Sequence, residues 1–164
     1  MAERVPIEEV FVVADGAEPR ETPEVMGFKA YNLWRMARIG LPVPAAFVLG
    51  TSFCRDYFGR GGVLTAGFRD LLAQNIRRIE SSSGTGLGSP RRPLLVSVRS
   101  GAPVSMPGMM DTVLNVGLCD SVLRGMLRMT GNPRLVWDSY RRLIQSFAEV
   151  VACGAKEPYY AAMT

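Results

Sequence analysis

The segment 97–112 contains the residue types best suited to hold a phosphate group. It reads SVRSGAPVSMPGMMDT and follows an apolar run, 94–98, that we expect to be a strand buried on both faces. An arginine that leaves such a strand costs free energy unless an anion receives it, and the planar guanidinium matches phosphate or carboxylate oxygens. The glycines and serines after Arg99 supply backbone N–H groups and hydroxyls for a polyphosphate. The structural alternative is an ion pair between Arg99 and Asp111 that braces a tight loop.

A second candidate for phosphate binding is the start of a predicted helix at Gly27, Phe28 and Lys29. A glycine lets the backbone approach a ligand closely, and a lysine in the first turn lies near the positive end of the helix dipole. That arrangement favours an anion, of which phosphate is the common one. Lysine is scarce in this chain, with two among 19 basic residues. The alternative is an ordinary exposed lysine on a helix surface.

Short strands and longer helices must position these two segments. Apolar runs bounded by turn residues predict strands at 10–14, 46–49, 94–98 and 113–117. Apolar periodicity and end signals predict helices from Gly27 to about Gly40, from Thr51 or Ser52 to Phe58, and over 63–79. Two more are predicted from Asp120 or Ser121 to Met129, stopped by Gly131, and from Asn132 to about 153–154. We therefore expect an α+β fold, with a few-stranded sheet and several flanking helices. It would form a single domain over 1–164 with a flexible, exposed loop at 81–93.

The last helix has the clearest pattern. Asn132 is the expected N-cap, and Pro133 occupies the first helical position, where its missing N–H costs nothing. Asp138 and Arg142 have the i,i+4 spacing of an exposed ion pair. One apolar face is expected to pack in the core, through Val136, Tyr140, Leu143, Ile144, Phe147 and Val151.

The composition excludes several classes of protein. The sequence has no histidine, which excludes Ser-His-Asp and Cys-His hydrolases, histidine-ligated zinc and phosphohistidine carriers. Three widely spaced cysteines, Cys54, Cys119 and Cys153, predict buried reduced thiols.

The same composition bears on location and partners. No apolar run is long enough to span a membrane, and the acidic N-terminus lacks the apolar stretch of a secretory signal, so we expect a cytoplasmic protein. The net charge of +4 is scattered over isolated arginine pairs, and a basic nucleic-acid-binding domain would rest on arginine content alone. We expect neither a membrane nor a nucleic acid as partner.

Several sequence motifs follow one another in a particular order along the chain. They are Lys29 with NL at 32–33, IGLPVP at 39–44, LLVSVRSGA at 94–102, SMPGMMDT at 105–112, and NPR and DSYRR within 132–142. Their order, spacing and wording, from about residue 10 to residue 151, resemble the N-terminal nucleotide-binding domain of the pyruvate phosphate dikinase family. Members of that family transfer phosphoryl groups from ATP, with phosphate and pyruvate as substrates, and form phosphoenolpyruvate.

The resemblance implies an ATP-grasp fold, of which this chain would supply the first lobe. It places Lys29 and Arg99 on the family's contacts to the ATP phosphates. Other implied nucleotide contacts lie in or beside a loop expected to close over the nucleotide: Ser100, Gly101, Ser105, Gly108, Met109 and Thr112.

The family's metal-binding carboxylates, phosphohistidine domain and pyruvate domain lie in parts that we expect this chain to lack. ATP would therefore bind here, with Mg²⁺ only if a missing domain completes the site. We assign no catalytic residue and no metal ligand to the chain itself, which we expect to be a partial domain that is not competent alone.

The helix opening departs from the family pattern. Phe28, Ala30 and Tyr31 stand where the family usually has glycine, glycine and alanine, and a phenylalanine beside Lys29 narrows the room for a close approach of backbone to phosphate. This departure supports an alternative, a non-catalytic binding or regulatory module that has lost nucleotide affinity. The face normally covered by the missing half is expected to leave an apolar patch, which favours self-association or a partner protein.

Overall fold

The computed structural model describes residues 10–13, 23–100 and 111–151. The described residues divide into two compact units, the first made of 10–13 and 23–83 and the second of 84–100 and 111–151. Each unit combines helices with paired strands. The mixed α+β class that we expected is therefore confirmed. None of the described helices has the length and apolar character that crossing a membrane requires.

The first unit contains one antiparallel strand pair and four helices. Strand β1 (Val10–Val13) pairs with β2 (Ala46–Leu49), with Val10 opposite Leu49. The helices are α1 (Pro23–Met26), α2 (Phe28–Arg38), α3 (Thr51–Gly59) and α4 (Ala66–Ser83). Val13, Met26 and Leu71 are buried, whereas α2 and α3 contain no buried residue. The core of this unit is therefore small.

Helix boundaries in the first unit differ from expectation at two places. Thr51 is the first residue of α3 and Gly50 is its N-cap, so neither Thr51 nor Ser52 caps the helix through its side chain. Helix α4 begins at Ala66, three residues later than predicted, after two glycines with positive φ.

Helix α4 also ends later than predicted. It continues to Ser83, and the hydroxyls of Ser81, Ser82 and Ser83 donate to main-chain carbonyls one turn earlier, at 2.9, 2.9 and 3.4 Å. Gly84 then adopts φ +64°, a left-handed conformation that ends the helix. The start of the segment expected as a loop is therefore helical.

The second unit contains two strand pairs and two helices. Strand β3 (Gly86–Leu87) pairs in parallel with β4 (Pro93–Leu94); β3 lies within the segment expected as a loop, and β4 begins at its last residue. Strand β5 (Val96–Arg99) pairs antiparallel with β6 (Thr112–Val116). The helices are α5 (Asp120–Thr130) and α6 (Pro133–Val150). The flexibility of 81–93 stays a prediction.

The predicted strand 94–98 is interrupted at Leu95 and is not buried on both faces. Its second part, β5, has one neighbour, β6, and Val98 is 55% exposed. Helix α6 packs against β6, where Val113 is buried, but Val98, which lies directly opposite Val113 on the same face, stays exposed. The apolar composition of the run therefore overstated its burial.

The core of the second unit forms where α5 and α6 meet. Its four buried side chains are those of Leu118, Val122, Leu123 and Val136, with Leu95, Met126, Leu127, Tyr140 and Leu143 packed around them. The sequence signals for the end of α5, at Gly131, and for the start of α6, at Asn132, are both confirmed. Gly131 closes α5 in a left-handed conformation, and the Asn132 side chain accepts a hydrogen bond from Leu135 N at 3.0 Å.

The predicted apolar face of α6 is only partly buried. Ile144, Phe147 and Val151 are about half exposed, contrary to expectation. The Tyr140 hydroxyl donates to Asp120, the first residue of α5, at 3.0 Å and so marks the level at which α5 begins. Helix α5 has 11 residues and α6 has 18, so the last two turns of α6 extend beyond their neighbour.

The cysteines also differ from expectation. Cys54 and Cys119 are free thiols but both are exposed. Cys54 lies on α3, which buries no residue, and Cys119 precedes α5, where its Sγ lies 3.2 Å from Ser121 Oγ. Cys153 lies outside the described residues.

The close packing of α5 on the segment before β4 gives a stability test at Gly125. A Cβ at Gly125 would overlap Pro90 O and lie 2.9 Å from Pro90 C, both main-chain atoms that cannot rotate away. We expect Gly125→Ala to lower the free energy of unfolding by about 1–3 kcal/mol, measured by urea denaturation.

Gly59→Ala is the matched control, because Gly59 is also helical and a Cβ there meets nothing within 4 Å. This control should be neutral or stabilising by up to about 1 kcal/mol. Equal stability of the two variants would contradict the close packing of α5.

Candidate functional site

The open end of the β5–β6 pair brings together three of the expected site residues. Arg99 lies directly opposite Thr112 and forms the last pair of the ladder. Ser100 comes next, and its backbone N and its Oγ each lie 3.2 Å from the carbonyl oxygen of Asp111. Arg99, Ser100 and Thr112 therefore share one end of a two-stranded sheet. The other expected residues of this segment, Gly101, Ser105, Gly108 and Met109, lie outside the described residues.

The ion pair offered as the structural alternative is absent between the two described residues concerned. Arg99 and Asp111 are both exposed, and their charged groups do not come within ion-pair distance. What holds this end of the sheet is the main-chain carbonyl of Asp111, which accepts both bonds from Ser100. The premise that Arg99 leaves a doubly buried strand is also wrong, because β5 is largely exposed. The guanidinium is therefore hydrated and accessible to an anion.

The face of the sheet that carries Arg99 has a mixed character. Side chains directly opposite in an antiparallel pair share a face, and every second residue of a strand returns to it. Arg99, Thr112 and Leu114 therefore lie on one face, and Val113 lies on the other. Val113 is 6% exposed and faces the core, whereas Leu114 is 46% exposed. The outer face thus offers a guanidinium and a hydroxyl for an anion beside an apolar surface.

A residue that sequence reasoning missed supports β6 from behind. Asn115 has φ +58°, which is uncommon for a residue other than glycine, and its Nδ2 donates to Ser139 O of α6 at 3.5 Å. This contact ties β6, the strand that carries Thr112, to the helix. Its sequence signal is an asparagine within a strand-forming run, two residues before Gly117, and that signal is weak.

Lys29, the second candidate for phosphate binding, belongs to the first unit. It is the second residue of α2, is exposed, and follows Gly27, whose φ of +82° and buried position fit the expected role of glycine at this turn. The first turn of α2 contains no acidic residue, so Lys29 adds positive charge to the positive end of the helix. The geometry is suited to an anion, and the exposed side chain equally fits the alternative of an ordinary surface lysine.

The described residues do not fit a magnesium site. Among them, no group of three or more cysteine, aspartate or glutamate side chains is placed to hold a metal ion. Asp111 is the one carboxylate at the described end of the β5–β6 pair. A hard dication prefers several oxygen ligands, so this end of the sheet can bind an anion but does not by itself position a divalent metal.

A cluster of charged side chains on α6 lies within the last of the sequence motifs, DSYRR at 138–142. Arg142 Nε donates to Asp138 Oδ2 at 2.7 Å, which confirms the predicted i,i+4 pair, and Arg141 donates to Oδ1 from Nε and Nη2 at 3.2 and 2.9 Å. Hydrogen bonds from Arg141 and then Arg142 hold the pKa of Asp138 below its ordinary value of 3.8. Sequence spacing had indicated Arg142 but not Arg141. Nearby, the hydrogen bond to Asp120 raises the pKa of Tyr140.

No protein-family model matches this chain, but individual known proteins do. The chain is 45% identical to pyruvate, phosphate dikinase of Clostridium symbiosum over 127 residues, which cover 77% of this chain and 14% of that protein. It is 39% identical to pyruvate, phosphate dikinase of Entamoeba histolytica over 144 residues, or 88% of this chain and 16% of that protein. It is 48% identical to pyruvate, phosphate dikinase 2 of Zea mays over 128 residues, or 78% and 14%.

These three relatives all carry the name pyruvate, phosphate dikinase. The resemblance read from the motifs is confirmed, and the chain is homologous to a segment of the pyruvate phosphate dikinases. The chain spans 14–16% of the length of these three relatives. Similarity at this level relates the chain to part of such an enzyme and does not carry the activity of the whole.

The Asp138 cluster gives a pH test. Because the pKa of Asp138 is lowered in the folded chain, its contribution to stability is present above pH 3.8 and is lost as the pH falls through the folded pKa. We expect Arg142→Gln to raise the pKa of Asp138 toward 3.8, measured by NMR titration of the Asp138 carboxyl carbon.

Arg134→Gln is the control. Arg134 lies on the same helix but is not one of the two arginines that donate to Asp138, so its replacement removes the same charge and leaves both hydrogen-bond donors in place. An equal rise of the Asp138 pKa in both variants would show that the lowered value reflects general charge rather than the two hydrogen bonds.

Proposed function

We propose that this chain is part of an ATP-binding domain of the pyruvate phosphate dikinase type and that it supplies contacts to the phosphates of ATP. The family reaction moves phosphoryl groups from ATP, with phosphate and pyruvate as the other substrates, to form phosphoenolpyruvate. Because the chain spans a small part of its relatives, the proposal assigns it phosphate binding and not the complete reaction. The ATP-grasp architecture belongs to the same proposal.

The observation that carries the proposal is the exposed Arg99 at the end of the β5–β6 pair. Its guanidinium forms no ion pair with Asp111, and the register places the Thr112 hydroxyl on the same face. A guanidinium can bind two phosphate oxygens at once, and such charge-assisted hydrogen bonds contribute roughly 1.5–3 kcal/mol each. Arg99 would neutralise charge on the phosphates, and Thr112 would donate to one of their oxygens.

The remaining site residues enter the proposal through the resemblance. Lys29 would bind phosphate as a point charge, and its position in the first turn of α2 supports that role. The described residues do not fit Mg²⁺, so we propose that the ion binds only when another part of the protein supplies carboxylates. The proposed contacts outside the described residues are Gly101, Ser105, Gly108 and Met109.

Isothermal calorimetry with ATP tests the role of Arg99. We expect Arg99→Ala to weaken ATP binding by about tenfold or more, because a charge-assisted hydrogen bond to phosphate is lost. Arg124→Ala is the matched control, since Arg124 is an exposed arginine on α5 of the same unit and its loss changes the net charge equally. Equal weakening by the two variants would reduce the role of Arg99 to general electrostatics, and absence of ATP binding by the wild type would overturn the proposal.

The alternative, a non-catalytic module without nucleotide affinity, has one observation in its favour. Phe28 is the first residue of α2, directly before Lys29, and is 41% exposed, so its ring lies at the surface where a phosphate would approach the helix. The alternative also includes self-association or a partner protein, and these, like the cytoplasmic location, stay predictions.

Phe28→Ala separates the two functions. If the wild type binds ATP through Lys29, removing the ring should change the affinity by less than about threefold, because the lysine and the helix dipole remain. If the ring blocks binding, the wild type should be silent in calorimetry and Phe28→Ala should bind. Phe58→Ala is the control, since Phe58 is an exposed phenylalanine on α3 of the same unit.

A further inference from the structure

The hydroxyl of Ser100 makes an unusual contact at the end of the β5–β6 pair. Ser100 donates twice to one acceptor, the carbonyl oxygen of Asp111, once from the backbone N–H and once from Oγ, both at 3.2 Å. A carbonyl oxygen has two lone pairs, so both bonds can form together. We name this pair of hydrogen bonds the Ser100 clasp.

The clasp lies next to Arg99 in the hydrogen-bond ladder. Pairs in an antiparallel sheet alternate between hydrogen-bonded and non-hydrogen-bonded positions. Because Ser100 donates to Asp111, the neighbouring pair of Arg99 and Thr112 occupies a non-hydrogen-bonded position. On its open side, this pair is therefore held by the Ser100 clasp and not by bonds of its own.

The position of the clasp makes the hydroxyl more consequential than an ordinary exposed serine. Ser100 and Asp111 are the described residues on either side of 101–110, so the clasp fixes the separation of the two strands at this end of the pair. Strand ends fray because their last bonds are exposed to water, and a second bond to the same acceptor opposes that fraying. Arg99 and Thr112 are the side chains whose positions would change if the end opened.

We propose that Ser100 is a positioning residue for phosphate binding, which acts by holding Arg99 and Thr112 opposite each other through its hydroxyl. This inference rests on the proposed function and replaces the direct contact to nucleotide that the family resemblance implied for Ser100. In the described structure its hydroxyl is already used by Asp111. The ligand is the polyphosphate of a nucleotide, and its recognition by Arg99 depends on the clasp.

The two roles of Ser100 differ in the protein without ligand. A serine that only contacts nucleotide would affect ATP affinity and leave the free protein unchanged. A serine that holds the end of the sheet would also change how often that end opens before any ligand is added. Hydrogen exchange of the Ser100 amide, which takes part in the clasp, reports that opening directly.

The experiment compares Ser100→Ala with Ser100→Thr, which keeps the hydroxyl, and with Ser97→Ala, an exposed serine in the same strand. Amide exchange at position 100 is measured by NMR on the full chain without ligand, and ATP affinity is measured by calorimetry. We expect Ser100→Ala to exchange about fivefold faster and to bind ATP about fivefold more weakly, as the loss of one neutral hydrogen bond would produce. Ser100→Thr should restore both values, and Ser97→Ala should change neither.

Unchanged amide exchange in Ser100→Ala would overturn the positioning role, whatever happens to ATP affinity. Faster exchange with unchanged affinity would also overturn it, because the clasp would then hold the strands without affecting the phosphate site. A wild type that does not bind ATP would instead overturn the proposed function, and the exchange data would still report whether the clasp exists.

Discussion

The antiparallel pairing of β5 with β6 is the constraint on which the candidate site depends. It sets Arg99 opposite Thr112, and the two bonds from Ser100 to the Asp111 carbonyl close the pair at its open end. Helix α6 supports β6 from the other face, where Asn115 reaches a main-chain carbonyl. The guanidinium thus lies on a strand whose partner is supported by a helix, while its own charge stays exposed, an arrangement suited to a charged ligand.

Local signals in the sequence predicted much of the fold. The strand 46–49, the Asn132 cap, the proline at the first position of α6 and the left-handed Gly131 all depend on a few neighbouring residues, and all are confirmed. Burial could not be predicted equally well, because it depends on distant parts of the chain. The apolar composition of β5 and of the end of α6 indicated a core, yet Val98 is 55% exposed, and Ile144, Phe147 and Val151 of α6 are about half exposed.

The candidate site residues were selected by residue type and stay predictions, and sequence reasoning did not predict the geometry at the end of the β5–β6 pair. Sequence reasoning selected Arg99, Ser100 and Thr112, but it explained Arg99 by the cost of leaving a buried strand, which the exposure of β5 contradicts. The Ser100 clasp uses a main-chain acceptor that no sequence motif encodes, so the sequence alone could not predict it. Homology to a segment of the pyruvate phosphate dikinases explains why the sequence motifs occur in this order. It does not assign the reaction of the whole enzyme to this chain.

The central claim, that Arg99 meets the phosphates of a nucleotide, can be tested at the side chain itself. The ¹⁵N chemical shift of Arg99 Nε can be followed by NMR while ATP is added to the wild-type chain, with adenosine as the ligand that lacks phosphates. The account expects a saturable shift of the Arg99 resonance with ATP and none with adenosine. Saturable binding of ATP that leaves the Arg99 resonance unmoved would contradict it.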